Sequence, residues 1–144
     1  MKKTAFLFPG QGAQYVEMGK DFYYAYSIAR QTFEEASDRL GVDISNICFN
    51  GPDEDLLKTE NTQPAILTTS IAILRAIQQE GFFCDFTAGL SLGEYSALVN
   101  AEAIGFSDAV RLVRNRGVYM QQAVPYGVGK MGAVVGLHRD NGVN

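Results

Sequence analysis

The stretch FFCDFTAGLSLGE, residues 82–94, decides the fold, because it joins a short apolar run to a helical pattern through a sharp turn. Residues 82–88 predict a short strand, and a helical pattern follows from about Leu92 to Ala101. The turn, Gly89 to Gly93, matches G-x-S-x-G. A strand, this turn and a helix in that order are typical of a nucleophile elbow, which projects a serine hydroxyl from the end of a sheet. The stretch therefore predicts an α/β protein with Ser91 as its candidate nucleophile.

The two glycines that flank the motif have a physical purpose. A serine held in a strained turn needs neighbours without side chains, and Gly89 and Gly93 leave that room. The N-terminus of the following helix stabilises negative charge that develops beside the serine, so the backbone N–H of Leu92 is a natural oxyanion donor. The pattern alone leaves a second interpretation open, namely a glycine-rich strand-to-helix turn in which Ser91 has no chemical role.

Further strands and helices alternate along the rest of the chain. Apolar runs at Thr4–Phe8 and Gly132–Leu137 predict two more strands. Gly41 is a predicted C-cap, and Ser107 with Asp108 is a predicted N-cap. This order of elements predicts a parallel sheet covered by helices. One helical pattern covers about residues 16–40, with a break near 26–27, and two others cover residues 62–80 and 107–123. Residues 42–60 are less regular, and a short helix could begin there at Asp53.

A second glycine-rich loop, Gly10-Gln11-Gly12, follows the first predicted strand. Because the carboxyl ends of parallel strands meet at one edge of a sheet, we expect this loop beside the Ser91 turn, where ligands bind in open α/β sheets. The loop is not a dinucleotide-binding fingerprint, since no third glycine follows at the required spacing. A tight turn whose glutamine faces solvent is an equally open interpretation.

The last predicted helix carries a candidate carboxylate-binding residue. Its buried stripe consists of Val110, Val113, Gly117 and Met120. At ~100° per residue, Arg116 lies roughly 80° from the centre of that stripe, so it borders the core, whereas Arg111 points more directly outward. A border arginine can bind a carboxylate through two parallel hydrogen bonds. The sequence alone favours the alternative, a surface arginine that buries only its aliphatic stem.

Composition and charge exclude several classes of function. The 144 residues, 47% hydrophobic and 19% charged, are typical of one ordinary globular domain. A net charge of −4 without a run of Lys or Arg argues against binding to nucleic acid or to an anionic membrane surface. No segment approaches the ~20 apolar residues of a membrane span. Cys48 and Cys84 lie in no metal-binding motif and are predicted to be reduced thiols of a cytoplasmic protein.

Five segments, taken together, resemble the acyltransferase family that loads malonyl groups in fatty-acid synthesis. The match extends from Lys2 to about Leu137. The resemblance implies an α/β-hydrolase-like large domain, incomplete here, in residues 1–124. A linker and the truncated start of a small ferredoxin-like domain would follow in residues 125–144, with residues 132–137 as its first strand. The five segments are FLFPGQGAQ (6–14), NTQPA (61–65), GLSLGEYSAL (89–98), VRNRGVYMQ (113–121) and GAVVGL (132–137).

The same resemblance implies roles for individual residues. Ser91 would accept malonyl from coenzyme A as an acyl-enzyme and pass it to the phosphopantetheine thiol of acyl carrier protein. The backbone N–H groups of Gln11 and Leu92 would hold the oxyanion. Arg116 would pair with the free malonyl carboxylate and so select malonyl over acetyl. The positions that match the lining of the family's substrate site are Gln63 and Met120. Coenzyme A enters as part of the thioester substrate, and neither a separate cofactor nor a metal is implied.

Two features depart from the family's pattern. Leu90 stands where the family usually has a histidine before the serine. The family's general-base histidine lies beyond residue 144, and His138, the only histidine of this sequence, is expected at the surface of a polar tail. Without a base, Ser91 is close to an ordinary alcohol. The 144 residues are therefore expected to be nearly inactive on their own.

Two other functions stay open on the sequence. One is a serine esterase with the same elbow, which needs no cation for its acyl group. The other is a non-catalytic fragment that associates with a separate C-terminal half or with itself, because a cut through the fold exposes a sheet edge and apolar surface. For the transacylase itself, the expected partners are malonyl-CoA and acyl carrier protein, with neither nucleic acid nor membrane.

Overall fold

The structure, a computed structural model, describes residues 2–125 and 127–129. In that part of the chain there are two strands and seven helices; five helices follow the first strand and two follow the second. The strands are β1 (Ala5–Phe8) and β2 (Phe86–Gly89). The helices are α1 (Lys20–Ala25), α2 (Ser27–Leu40), α3 (Ile44–Asn50), α4 (Asp53–Leu57), α5 (Thr59–Gln79), α6 (Gly93–Asn100) and α7 (Phe106–Ala123).

The two strands pair in parallel and end at the same level. Ala5 lies opposite Phe86, and Phe8 lies opposite Gly89. The loop after β1 and the turn after β2 therefore leave the sheet side by side, as the sequence predicts for parallel strands. This arrangement confirms the mixed α/β class with a parallel sheet.

Helix α5 forms the centre of the fold. It packs against α7 and α2 most extensively and also touches α1, α3, α4 and α6. Every residue from Asn61 to Thr69 is buried, including Leu67, so the first half of the helix has no solvent-facing side. A helix that is surrounded by other elements in this way is a core helix and holds its neighbours in register.

The crossing of α5 and α7 follows from two sequence features. Pro64 has no N–H, so the carbonyl oxygen of Glu60 lacks its usual partner four residues on, and Arg114 Nη1 donates to that oxygen at 2.8 Å. Gly117 allows the helices to approach, since a Cβ there would lie 2.7 Å from the Glu60 Cα. The close crossing fixes the first half of α5 against the part of α7 that carries Arg116.

Several predicted boundaries are confirmed. The break near residues 26–27 separates α1 from α2, and Gly41 ends α2 in the left-handed conformation, with φ of 64°. A short helix begins at Asp53, and α7 ends at Ala123. At each of these positions, nearby residues favour a turn or a helix cap.

Other predicted elements were wrong. Residues 42–60 are more regular than predicted, because they contain α3, whose N-cap Asp43 accepts a hydrogen bond from the Asn46 N–H at 2.9 Å. The second strand begins only at Phe86, since residues 82–85 lie outside it. The predicted cap Ser107-Asp108 lies inside α7, whose N-cap is Gly105. The helix begins early because the Phe106 ring is buried beneath the Arg75 guanidinium, 4.8 Å away.

The two cysteines are free thiols, as predicted. Cys48 is fully buried, and this burial raises the pKa of its thiol to about 12. It therefore stays protonated and chemically inert. No helix in residues 2–125 or 127–129 is long and apolar enough to cross a membrane. The predicted strand Gly132–Leu137, His138 and most of the predicted segment 125–144 lie outside the described residues.

We predict that Gly117→Ala destabilises the fold through the crossing of α5 and α7. Alanine gains up to ~1 kcal/mol of helix propensity, but overpacking against the α5 backbone costs about 1–3 kcal/mol. Urea unfolding followed by circular dichroism should show a net loss of stability. Asn115→Ala, at an exposed position of the same helix, is the matched control and should be neutral or slightly stabilising. Equal stability of the two variants would contradict a tight crossing.

Candidate active site

Ser91 occupies a strained turn between β2 and α6. Its φ is 52°, in the left-handed region that side chains other than glycine rarely adopt. The glycines on either side are sterically required: a Cβ on Gly89 would lie 1.9 Å from the Gly93 carbonyl carbon. A Cβ on Gly93 would lie 2.2 Å from the Phe8 carbonyl oxygen. Backbone strain of this kind, which persists only when the surroundings enforce it, is a common property of reactive sites.

The loop after β1 lies directly against this turn. A Cβ on Gly10 would lie 2.6 Å from the Leu90 carbonyl oxygen, and the Leu90 N–H donates to the Phe8 carbonyl at 3.3 Å. In the described part of the chain, the backbone N–H groups of Gln11 and Leu92 donate to no other group. Two free N–H donors on adjoining loops beside an exposed serine hydroxyl have the chemistry of an oxyanion hole.

A continuous chain of hydrogen bonds joins the predicted polar residues. Arg116 Nη2 donates to Ser91 Oγ at 2.9 Å, and Arg116 Nη1 donates to Gln63 Oε1 at 2.5 Å. Gln63 Nε2 donates in turn to Gln11 Oε1 at 2.8 Å. Four residues that lie far apart in sequence therefore meet at the carboxyl edge of the sheet. The Arg116 guanidinium is bonded to two of these residues, which rules out the alternative of a surface arginine that buries only its stem.

The guanidinium of Arg116 carries an uncompensated charge. Every ion pair of the described residues uses other groups; Arg114, for example, faces Glu60, and Arg75 pairs with Glu35. Arg116 instead lies over the Tyr95 ring, with Cζ 5.8 Å from the ring centroid. A half-buried cation with neutral partners is suited to bind an anion, because no internal carboxylate competes for it.

Two residues of the site were missed from the sequence. Tyr95 supports the Arg116 guanidinium, and Arg114 holds α7 against α5. A signal for Tyr95 existed, because the first turn of the helix after an elbow faces the same edge of the sheet as the serine. Nothing in the pattern pointed to Arg114, whose partner is a backbone carbonyl. Met120 lies one helical turn beyond Arg116, is half-buried and takes no part in the hydrogen-bonded chain.

The polar groups of the site do not suit a metal. They are a hydroxyl, two side-chain amides and a guanidinium, and none of these is a strong ligand for a transition metal. Among residues 2–125 and 127–129, no group of three or more His, Cys, Asp and Glu residues lies together. The arrangement instead combines an exposed serine hydroxyl with hydrogen-bond donors suited to negative charge. Leu90, beside Ser91, is 77% exposed and adds no polar group.

Comparisons with known proteins agree on one family. A family model described as an acyl transferase domain matches residues 5–141. A relative named malonyl CoA-acyl carrier protein transacylase, from Bacillus subtilis strain 168, is 52% identical over 137 residues, which are 95% of this chain and 43% of that protein. The crystal structure of malonyl CoA-acyl carrier protein transacylase from Clostridium perfringens matches with a TM-score of 0.83 at 51% identity, over 88% of this chain and 40% of that one.

A third match is a structure of a type II PKS acyl-carrier protein in complex with its malonyl-transacylase. The matched chain has a TM-score of 0.82 and 50% identity, over 86% of this chain and 40% of that one. This chain thus spans less than half the length of the proteins it matches. Because the family model covers nearly all of its sequence and these relatives are about half identical to it, the chain belongs to the acyl transferase domain family.

Proposed function

We propose that this chain provides the acyl-binding and nucleophilic part of a malonyl-CoA:acyl carrier protein transacylase of fatty-acid synthesis. The observation that carries the proposal is the bond from the unpaired Arg116 guanidinium to Ser91 Oγ, at 2.9 Å. This bond supports the proposal that the cation which binds the acyl carboxylate lies next to the hydroxyl that is acylated. The names of the relatives, and the complex with an acyl-carrier protein, support the same assignment.

In this proposal, Ser91 is the nucleophile of a two-step transfer. Its Oγ attacks the thioester carbonyl of malonyl-CoA, the C–S bond breaks, and the serine proton passes through a base to the leaving coenzyme A thiolate. The phosphopantetheine thiol of acyl carrier protein then attacks the Ser91 ester in the reverse sense. The N–H groups of Gln11 and Leu92 hold the oxyanion of each tetrahedral intermediate.

Arg116 selects the acyl group. Each terminal nitrogen of a guanidinium carries two N–H groups, and in Arg116 each uses one, on Ser91 and on Gln63. One N–H on each nitrogen remains to bind the free carboxylate of malonyl, and acetyl has no carboxylate to offer. Met120 and Gln63 belong to the same substrate-binding region. A serine esterase with a neutral acyl group does not use the charge of Arg116.

The general base belongs to another part of the transacylase. His138 is the only histidine of the sequence and lies in the tail, and no carboxylate or imidazole of the described residues bonds to Ser91. In the proposed domain plan, residues 1–124 form part of the hydrolase-like domain, and residues 125–144 lead into a small ferredoxin-like domain. The two free cysteines suit a cytoplasmic location, which is part of the same proposal.

The isolated chain should acylate very slowly. Loss of the base lowers the rate of serine hydrolases by about 10⁴-fold or more. Intact mass spectrometry after mixing with malonyl-CoA should therefore show little or no malonyl adduct within minutes. Ser91→Ala is the control that separates a serine ester from adducts on other residues. Rapid, Ser91-dependent acylation by the purified chain alone would overturn the assigned need for an external base.

Arg116→Ala should separate the transacylase from the esterase. The probe is monomethyl malonate, which carries one carboxylate and one ester, and binding is followed by NMR at the Gln11 and Leu92 amides. A hydrogen-bonded charge contributes ~1.5–3 kcal/mol, so the variant should bind the probe at least tenfold more weakly. Arg111→Ala, an exposed arginine of the same helix, is the matched control and should bind normally. Equal affinity in both variants would favour the esterase.

A second candidate function is association with another chain, favoured by one surface. An open groove of about 380 Å³ runs between β1 and α5 and includes Leu7, which is 78% exposed. Within the described residues, β1 pairs only with β2, so its other edge is free. An apolar groove beside a free strand edge favours binding of a further strand. The partner would be a chain that carries the rest of the acyltransferase fold, or a second copy of this chain.

Sedimentation of the purified chain tests this association. We expect dimers or larger species at micromolar concentration, together with binding of an apolar dye. Leu7→Lys puts a charge in the groove and should shift the distribution towards monomer, whereas Leu112→Lys, at an exposed apolar position of α7, should not. A monomer that binds no dye would count against association through this groove.

A further inference from the structure

Gln63 occupies an unusual position for a substrate-contacting residue. Its side chain is 1% exposed, in the fully buried first half of α5. Both polar atoms of its amide are already used, Oε1 by Arg116 and Nε2 by Gln11. A buried amide with both ends bonded has little left to offer a ligand, so its effect on the site must pass through its two partners.

The direction of the Gln63 amide is fixed by chemistry. A guanidinium only donates hydrogen bonds, so the atom facing Arg116 must be the Gln63 oxygen. The Gln63 nitrogen then faces Gln11, and the Gln11 side chain must turn its own oxygen inward to accept that bond. Gln11 is exposed, and its amide nitrogen takes no part in the bond to Gln63. Arg116, which can only donate hydrogen bonds, thus sets the orientation of the Gln63 amide and, through it, that of the Gln11 amide.

We infer that Gln63 is a positioning residue that holds the Arg116 guanidinium beside Ser91 and orients the Gln11 amide, so that the site offers a carboxylate-bearing acyl group donors only. This inference rests on the proposed function. Anion selectivity then has two parts. Arg116 supplies the charge, and Gln63 prevents the neighbouring amide from presenting an oxygen, which would repel the carboxylate.

The surroundings of Gln63 favour this role. Asn61, Thr62 and Pro64 are buried beside it, so its backbone is held by the core of α5 and not by a mobile loop. Arg116 belongs to α7, and because Gly117 has no side chain, α7 packs closely against the same part of α5. The distance between the Gln63 amide and the guanidinium is therefore set by packing of the two helices.

The first test is Gln63→Met, which keeps the length of the side chain and removes both hydrogen bonds. In the ¹⁵N-labelled chain, relaxation of the Arg116 Nε–H, assigned by its loss in Arg116→Ala, reports the mobility of the guanidinium without any ligand. We expect a more mobile Arg116 and about tenfold weaker binding of monomethyl malonate. Thr68→Val is the matched control, since it removes a buried hydroxyl of α5 that has no hydrogen-bond partner. Both readouts should stay unchanged in it.

The second test is Gln63→Glu, which has nearly the same shape. Its carboxylate can still accept from Arg116 and can also accept from a reversed Gln11 amide. We expect Arg116 to stay rigid while binding of monomethyl malonate falls more than tenfold, because the cation is neutralised and the Gln11 oxygen faces the ligand. A merely structural role would not weaken binding with a mobile Arg116 in one variant and with a rigid Arg116 in the other. If Gln63→Met does not fold, the isosteric Gln63→Glu still decides the inference.

Failure of this inference and failure of the proposed function give different results. If Gln63→Met leaves Arg116 as rigid as in the parent chain, the positioning role is wrong, whatever the affinity. Binding of the probe to Gln63→Glu within twofold of the parent chain also overturns it. If the parent chain binds no probe, the proposed function fails, and the relaxation of Arg116 still decides whether Gln63 positions it.

Discussion

The close approach of the Ser91 turn to the end of β1 is the constraint on which the site depends. Gly93 lies so near the Phe8 carbonyl that no side chain fits between them. This contact sets the start of α6, and with it the left-handed backbone of Ser91. It also brings the loop carrying Gln11 against the turn. The contact is possible because the two strands are parallel and end at the same level, with Phe8 opposite Gly89.

A second, independent constraint places the cation. Arg116 belongs to α7, and its position depends on how closely α7 crosses α5. Pro64 leaves the Glu60 carbonyl free for Arg114, and Gly117 removes the side chain that would keep the helices apart. The two constraints meet in the hydrogen bond from Arg116 to Ser91. A substitution at the helix crossing would therefore alter the hydrogen bond from Arg116 to Ser91 without changing any residue of the turn.

The sequence predicted features whose cause is local, and it failed where the cause lies in distant packing. The G-x-S-x-G turn, the Gly41 cap and the break at residues 26–27 depend on backbone conformations that nearby residues decide. Helix α3 was missed although Asp43 is an ordinary N-cap, because its seven residues are too few to establish a helical period. The start of α7 was misplaced since Phe106 enters the helix to bury its ring under Arg75, a partner 31 positions away in sequence. Periodicity put Arg116 at the border of the core, but its contact with Ser91 needs the crossing of two helices.

Binding of an anion and activation of a serine hydroxyl place different physical demands on this site. The hydrogen bonds that join Ser91, Arg116, Gln63 and Gln11 are made by these four residues alone. Binding of a carboxylate needs only the free donors of that chain, whereas attack by Ser91 also needs a base to take its proton. The bonded chain holds the donors in place without any ligand, so little ordering would remain for the binding of an anion. Under the proposed function, affinity for a carboxylate-bearing acyl group would be a property of these residues, whereas turnover would also require a base.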